Sequence, residues 1–269
     1  MKLDGSRFLV TGAAGGIGRA LAHNLARRGA LLLLAGRDEA ALAALRAEVG
    51  ALGGLAESIH ADLEDPAAAE AIACSAERLA GGIDVLVNLA GVSHFGLFQQ
   101  QSAVSIERLW WVNVIAPMNL TRALLPGMLR RRHGRIVNIG SVFGAIGFPC
   151  FASYSASKAA LRGFSEALRR ELDGSGVGVN HVAPRYTRTA LNTGAVSRMA
   201  TALKMSEDSP ERVAAHIVRA IERDRDDTTI GFPESLFVRV NALLPRVVDR
   251  ALRPQNLRMR DFVAQPVER

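Results

Sequence analysis

The 269-residue sequence contains few of the residues that mark several large protein classes. Its two cysteines, Cys74 and Cys150, are too few and too far apart to indicate a disulfide framework or a metal site. A reducing, cytoplasmic setting is therefore expected. No run approaches the roughly 18 uninterrupted apolar residues of a transmembrane helix. The N-terminus also lacks the apolar segment of a signal peptide.

Aromatic residues are scarce too, at 5% of the chain, whereas hydrophobic residues as a whole reach 49%. The core is therefore expected to consist of Ala, Leu, Val and Ile. This composition is typical of helices packed closely on a parallel sheet and not of a β-sandwich. The length suits one large α/β domain.

Acidic residues are outnumbered by basic ones, 26 against 33, which gives a net charge of +7. Such an excess can indicate a nucleic-acid partner. The basic residues are scattered, however, and the one tight run, 130–132, falls where a helix is expected to end and where positive charge complements the helix dipole. No basic strip interleaved with aromatics accompanies it, so nucleic-acid binding is not expected.

Seven short strand-like runs alternate with helical patterns along the chain. They cover residues 7–11, 30–35, 55–60, 83–88, 135–141, 177–182 and 228–232. The longest helical pattern, 104–130, contains Asn113 and a proline, Pro117, that is expected to kink it. This alternation predicts an α/β fold with a Rossmann-like, doubly wound parallel sheet in a single domain, 1–233, with ligands at the strand C-termini.

A glycine-rich turn joins the first predicted strand to the first predicted helix. Its glycines, among them Gly12, Gly16 and Gly18, flank Ile17. They would let backbone N–H groups and the helix N-terminus approach a pyrophosphate closely. Strand, turn and helix in this order predict a dinucleotide site.

The end of the second predicted strand bears on the choice of cofactor. An acidic residue there would bind a ribose 2′-hydroxyl, whereas an arginine accommodates a 2′-phosphate. The strand ends at Gly36 and Arg37 follows, which favours NADP (NADPH) over NAD. Asp38 comes next and either binds the ribose or caps the helix that carries Leu42 and Leu45.

Tyr154 and Lys158 are four residues apart in a predicted helix and project from one face. A cation one turn away favours the phenolate, so the pair could act as a tuned general acid and base. Lowering the phenol pKa from about 10 to about 7–8 requires roughly 3–4 kcal/mol. Taken alone, the spacing is common and also fits an ordinary exposed helix face.

Together these motifs resemble the classical short-chain dehydrogenase/reductase family over residues 5–235. They occur in the expected order: Thr11-Gly12-x-x-x-Gly16-Ile17-Gly18, Asp62, Asn88-x-Ala90-Gly91, Asn113, Ser141 and Tyr154-x-x-x-Lys158. The resemblance implies an oxidoreductase that interconverts an alcohol with its aldehyde or ketone by hydride transfer, and a homodimer or homotetramer. A non-catalytic nucleotide-binding regulator or scaffold of the same fold is the alternative.

The resemblance also implies the catalytic roles. Tyr154 would transfer a proton to or from the substrate oxygen, and Ser141 would hold that oxygen by a hydrogen bond. Lys158 would lower the tyrosine pKa and bind the nicotinamide ribose. Asn113 would help to position Lys158 through a water.

Further cofactor contacts are implied at the strand ends. Asp62, next to Leu63, would bind the adenine. Asn88 would support a cofactor floor beside Ala90 and Gly91.

Three features depart from the family pattern. Leu89 replaces a second asparagine. Arg185, after Pro184, replaces a glycine, so the backbone under the nicotinamide is expected to differ. Thr187 and Thr189 both remain candidates for the contact to the nicotinamide amide, since neither has the family's spacing from Pro184.

The substrate region is predicted to be apolar. Residues 188–209 are where such folds build a lid, and this segment carries few charges. The side chains expected to line the pocket are His94, Phe95, Phe143, Phe148 and Cys150. They favour a hydrophobic alcohol or carbonyl over a sugar or small acid, with His94 as a wall residue and not a second acid or base.

Residues 234–269 extend beyond a minimal family fold. Apolar residues recur there at helical spacing among arginines, with a break at Pro245. Such an amphipathic stretch can lie weakly on an anionic membrane surface. It can equally pack on the domain as a pocket wall or dimer contact, and packing is the favoured interpretation.

Overall fold

The computed structural model of the chain describes residues 1–192 and 194–264. Residues 265–269, the end of the predicted extension, and Thr193 in the predicted lid lie outside the described residues. The described chain forms one parallel sheet in the order β3-β2-β1-β4-β5-β6-β7. The strands are β1 (Arg7–Thr11), β2 (Leu31–Gly36), β3 (Leu55–His60), β4 (Val85–Asn88), β5 (Gly134–Ile139), β6 (Val177–Ala183) and β7 (Asp227–Thr229). The predicted Rossmann-like, doubly wound sheet is confirmed.

Helices cover both faces of the sheet. They are α1 (Gly16–Ala26), α2 (Glu39–Ala51), α3 (Ala68–Ala80), α4 (Ala103–Trp110), α5 (Ala116–Arg131), α6 (Ala152–Glu171), α7 (Ala195–Ala202), α8 (Pro210–Glu222), α9 (Glu234–Leu243) and α10 (Pro245–Ala264). Buried residues of α1, α2 and α8 share one core cluster. Those of α3, α5 and α6 share another.

The continuous apolar runs of the strands follow from this two-sided packing. In β2, Leu32 and Leu34 face one core cluster, whereas Leu33 faces the other. Successive side chains of a strand point to opposite faces, and both faces are covered. The strand order reverses between β1 and β4, so their carboxyl ends flank the crevice in which such sheets bind ligands.

The predicted helix over 104–130 is interrupted. A π-helical turn, Trp111–Ile115, separates α4 from α5. Pro117 lies in the first turn of α5, directly after this π turn. Asn113 is buried at the centre of the π turn, a geometry common at functional sites.

Candidate active site

The glycine-rich turn forms a cradle that side chains would fill. Gly12 has φ +66°, and a Cβ there would lie 2.9 Å from the Ala90 Cα. A Cβ on Gly18 would lie 2.5 Å from the carbonyl oxygen of Ala13. Glycine is thus needed for the turn and for its close packing on the neighbouring loop. The N-terminus of α1 begins at Gly16, which suits a pyrophosphate.

A cleft of about 500 Å³ opens beside this turn. Ten of the residues predicted to bind a cofactor line it: Gly12, Gly16, Ile17, Gly18, Arg37, Asp62, Leu63, Ala90, Gly91 and Thr189. The Thr11 hydroxyl holds the floor of the cleft, because it accepts hydrogen bonds from the N–H groups of Leu89 and Ala90, both at 3.1 Å. The backbone of Leu89 is therefore anchored although its side chain is apolar.

Five other predicted cofactor residues lie outside the lining of this cleft: Tyr154 and Lys158, described below, and Asn88, Pro184 and Thr187. Asn88 is buried below the floor, where its Nδ2 donates to the Asn138 Oδ1 at 2.8 Å. Pro184 accepts a backbone hydrogen bond from Val142. Thr187 is buried and its hydroxyl donates to the Arg185 carbonyl at 3.0 Å. Of the two threonines left open by the sequence, Thr189 is the one at the cleft.

Arg37 and Asp38 have different surroundings at the end of β2. The Arg37 side chain is exposed and its Nη1 lies 3.4 Å from the Glu64 Oε1. The Asp38 carboxylate accepts a hydrogen bond from the Ala41 N–H at 2.9 Å and caps α2. The only carboxylate next to Arg37 in sequence is therefore engaged by a helix N-terminus.

The four predicted catalytic residues come from three elements. Ser141 follows β5, and its Oγ accepts from the Phe143 N–H at 3.1 Å. Tyr154 and Lys158 lie in α6, with the Lys158 Nζ 5.9 Å from the centre of the tyrosine ring. That Nζ donates to the carbonyl of Ile139, the last residue of β5, at 3.0 Å.

Asn113 reaches the same place from the π turn. Its side chain exchanges two hydrogen bonds with the backbone of Val92, each at 2.9 Å. Its Nδ2 also donates to the Ser157 Oγ at 3.1 Å. Asn113 therefore fixes the loop after β4 to α6 at the residue preceding Lys158.

Burial sets the protonation of the tyrosine and lysine. Desolvation raises the pKa of Tyr154 to about 12, against a smaller lowering by its hydrogen bond with Ser141. Burial lowers the pKa of Lys158 to about 8. The expected lowering of the tyrosine pKa by the lysine is not found: desolvation disfavours both charges, and the lowering contribution to the Tyr154 pKa comes from Ser141. In this state Tyr154 is a neutral proton donor.

A smaller pocket of about 90 Å³ lies at Tyr154. Its lining is Ser93, Ser141, Val142, Phe143, Phe151, Tyr154, Arg185, Tyr186, Asn192, Val196, Met199, Met205, Ser206 and Glu234. Of the five residues predicted to line it, Phe143 does so. Phe95, Phe148 and Cys150 pack behind it with Phe151 in an apolar cluster.

His94 differs from a catalytic histidine in its surroundings. Its Nδ1 lies 3.5 Å from the Ser105 Oγ of α4. Burial lowers its pKa. His94 is not among the residues that line the pocket, so it is not the pocket-wall residue that the sequence predicted.

A family model described as short chain dehydrogenase matches residues 7–200. The chain belongs to the short-chain dehydrogenase/reductase family. It is accordingly an oxidoreductase that acts on CH–OH groups and binds a nicotinamide dinucleotide.

Similar proteins extend over nearly the whole chain. Ketoacyl reductase HetN from a Nostoc species is 36% identical over 258 residues, which cover 93% of this chain and 89% of that protein. A Burkholderia phymatum short-chain dehydrogenase/reductase solved with NAD has a TM-score of 0.84 at 27% identity, covering 92% and 96% of the two chains. A Sphingobium yanoikuyae short-chain dehydrogenase solved with NADPH has a TM-score of 0.78 at 32% identity, covering 93% and 95%.

In this dehydrogenase, Arg185 connects three segments. Its Nε and Nη2 lie 2.9 and 3.0 Å from the carboxylate of Asp208, at the end of the predicted lid. Its Nη1 lies 3.0 Å from the Glu234 Oε2, at the start of α9. The Asp208 side chain is fully buried, and that of Arg185 is 10% exposed. The backbone of Arg185 is outside the left-handed region, so the arginine is accommodated without the φ that a glycine would permit.

The C-terminal extension packs on the dehydrogenase domain. Val238 and Val240 of α9 and Val248 of α10 contact the segment after Ser141. Met259 of α10 joins the apolar cluster behind the pocket. The extension therefore forms part of the pocket wall.

Residues 1–192 and 194–264 contain neither a metal-binding cluster nor a membrane-spanning helix. No group of histidine, cysteine and acidic side chains there could hold a metal ion. No helix in that part of the chain is both long and apolar enough to cross a bilayer.

Proposed function

We propose that this dehydrogenase uses NADP(H) to interconvert a hydrophobic alcohol and its aldehyde or ketone. The observation that carries the proposal is the position of Ser141 and Tyr154, which line one pocket together with six apolar residues. The name of the ketoacyl reductase relative supports a carbonyl substrate. A reducing cytoplasmic setting and a homodimer or homotetramer belong to the same proposal.

The residues of the cleft fit a dinucleotide phosphate. Gly12, Gly16 and Gly18 would hold the pyrophosphate, and Asp62 lies where it would bind the adenine. Arg37 would pair with a 2′-phosphate, while Asp38 is engaged in capping α2. The NADPH in one similar structure supports this choice. When bound, the nicotinamide supplies or accepts the hydride.

The protein's own residues would then handle the substrate oxygen. Ser141 holds the oxygen by a hydrogen bond and Tyr154, neutral at physiological pH, donates its proton during reduction. Lys158 fixes α6 to the end of β5 through its hydrogen bond to the Ile139 carbonyl. Asn113 fixes α6 to the loop after β4 through its hydrogen bonds to Ser157 and Val92. The aromatic walls exclude water from the pocket, which strengthens these hydrogen bonds.

The chain offers a matched control for the role of Tyr154, since its other tyrosine, Tyr186, lines the same pocket. A series of apolar ketones, aldehydes and alcohols would be screened by cofactor absorbance in both directions. Tyr154→Phe should lower kcat at least about 10²-fold because the proton donor is lost. Tyr186→Phe should have a small effect. Undiminished turnover of Tyr154→Phe would refute the proposal. Tight NADPH binding without turnover of any substrate would instead support the alternative function, a non-catalytic nucleotide-binding regulator or scaffold.

Cofactor choice has a separate test. Fluorescence titration with NADPH and NADH should show tighter binding of NADPH. Arg37→Ala should weaken NADPH binding by about tenfold or more, because a charge-assisted contact to phosphate is lost, and should leave NADH unaffected. Arg46→Ala, in the neighbouring helix α2, is the control. Equal affinities that survive Arg37→Ala would contradict the NADP preference.

A further inference from the structure

Helix α9 packs against the domain through part of its surface, which includes Val238, Val240 and Asn241. On that surface Val238 contacts Val142 and Ile146. The Asn241 Nδ2 donates to the Ala145 carbonyl at 2.9 Å. The contacts place α9 directly beside the segment that follows Ser141.

The helix and the residue after it also carry exposed apolar side chains. Leu236, Phe237, Leu243 and Leu244 are 48, 50, 80 and 58% exposed. The first three lie in α9 and Leu244 follows its last residue, and the half-buried Val240 lies between them on the helix surface. We call these four residues the α9 stripe. Phe232 before the helix and Val247 after it extend the exposed apolar surface. Monomeric proteins seldom expose apolar patches beyond about 300–600 Å², and larger ones mark interaction sites.

The sequence after the α9 stripe is rich in arginine. Between Ser235 and Met259 the sequence contains five arginines and one acidic residue, Asp249. Arg246, Arg250 and Arg253 are exposed. None of the three takes part in an ion pair with another described residue. The surface thus combines large apolar side chains with uncompensated positive charge.

We propose that the α9 stripe docks on an anionic lipid bilayer. Exposed apolar side chains beside arginines suit the boundary between head groups and acyl chains, where the arginines would meet lipid phosphates. A second copy of the chain fits less well, because a two-fold contact would bring two arginine-rich surfaces together. Docking would hold the apolar substrate pocket close to the membrane.

Co-sedimentation of the full chain with lipid vesicles tests this proposal. The protein should sediment with vesicles of phosphatidylcholine and phosphatidylglycerol at low salt, and less with phosphatidylcholine alone or at high salt. The double variant Phe237→Ser/Leu243→Ser should reduce the bound fraction about tenfold or more, because its apolar contact is lost. Val104→Ser, at an exposed apolar position of α4, is the control and should bind as the unchanged protein does.

A charge series keeps the test decisive if the double variant does not fold. Arg246→Gln/Arg250→Gln/Arg253→Gln should lose binding to anionic vesicles. An equal charge change at the C-terminal ends of α1, α3 and α5, Arg27→Gln/Arg78→Gln/Arg130→Gln, should retain it. Absence of vesicle binding by the unchanged protein, or equal loss in both triple variants, would overturn the proposal. The proposal would also be overturned if light scattering showed a dimer for the unchanged protein and a monomer for the double variant, while neither protein bound vesicles. The α9 stripe would then be a contact between two copies of the chain.

Discussion

At the residue scale, the environment of Lys158 costs stability. The ammonium group is buried and its one described hydrogen bond goes to the Ile139 carbonyl. The spacing of four residues between Tyr154 and Lys158 predicted that both side chains lie on one face of a helix. It could not predict their pKa values, because desolvation depends on what the rest of the chain places over them.

The depressed pKa of Lys158 gives a prediction about stability and pH. Its pKa is about 8 in the folded protein and 10.5 ordinarily. The unfolded chain therefore binds more protons between these values, and the free energy of unfolding should rise as the pH rises through this window. Lys158→Met should abolish activity and yet raise the free energy of unfolding at pH 7 by about 3 kcal/mol, with the gain fading towards pH 10.5.

Urea unfolding at pH 7 and pH 10 measures this effect. Lys2→Met, at an exposed position, should show no pH-dependent difference from the unchanged protein. A Lys158→Met protein that is less stable than the unchanged protein at both pH values would contradict the prediction.

The raised pKa of Tyr154 can be observed directly, because Tyr186→Phe leaves it as the single tyrosine. In that variant the phenolate absorbance should remain absent through pH 10 and appear with a midpoint near 12. Circular dichroism over the same range distinguishes titration in the folded protein from exposure on unfolding. A midpoint below 10 would show that Lys158 outweighs desolvation.

At the element scale, the strands could be predicted and the connections could not. The run at 55–60 coincides with β3, an edge strand that is largely exposed. The run at 7–11 coincides with β1, because a strand covered on both faces leaves an uninterrupted apolar signal in the sequence. The π turn around Asn113 leaves no such signal, since one extra residue in a helical turn hardly changes the apolar pattern. Arg185 contacts Asp208, 23 positions later in the chain, and Glu234, 49 positions later. Only the folded chain reveals this network.

That network predicts a large effect of restoring the glycine of the family pattern. Arg185→Gly would leave the buried Asp208 without its main partner and should cost about 3 kcal/mol of stability. It should also raise KM for the carbonyl substrate, because the end of the lid is released, while the Kd for NADPH stays nearly constant.

Chemical denaturation and steady-state kinetics check both parts. Arg212→Gln is the matched control, since its Nε lies 3.2 Å from the same carboxylate but its side chain is mostly exposed. It should cost less than about 1 kcal/mol. Equal losses in the two variants would show that Arg185 has no special role.

At the scale of the whole molecule, the two halves of the site differ in how far the sequence reveals them. The cofactor cleft is built from short local motifs at the ends of β1, β2 and β4, and most of its lining could be predicted. The pocket wall combines Phe143 and Phe151 with residues of α7 and with Glu234. Met259, more than one hundred positions after Phe151 in the chain, packs behind this wall. No spacing rule connects segments so far apart.

Met259 provides the test of this long-range construction. It is fully buried in the apolar cluster behind the pocket, so Met259→Ala should leave a cavity and cost about 2–5 kcal/mol. KM for the carbonyl substrate should rise because the pocket wall loosens, whereas NADPH affinity should not change. Leu257→Ala, at an exposed position of the same helix, should change stability by no more than about 0.5 kcal/mol. If both variants unfold alike, or if Met259→Ala weakens NADPH binding as much as it raises KM, α10 does not form the wall of the substrate pocket.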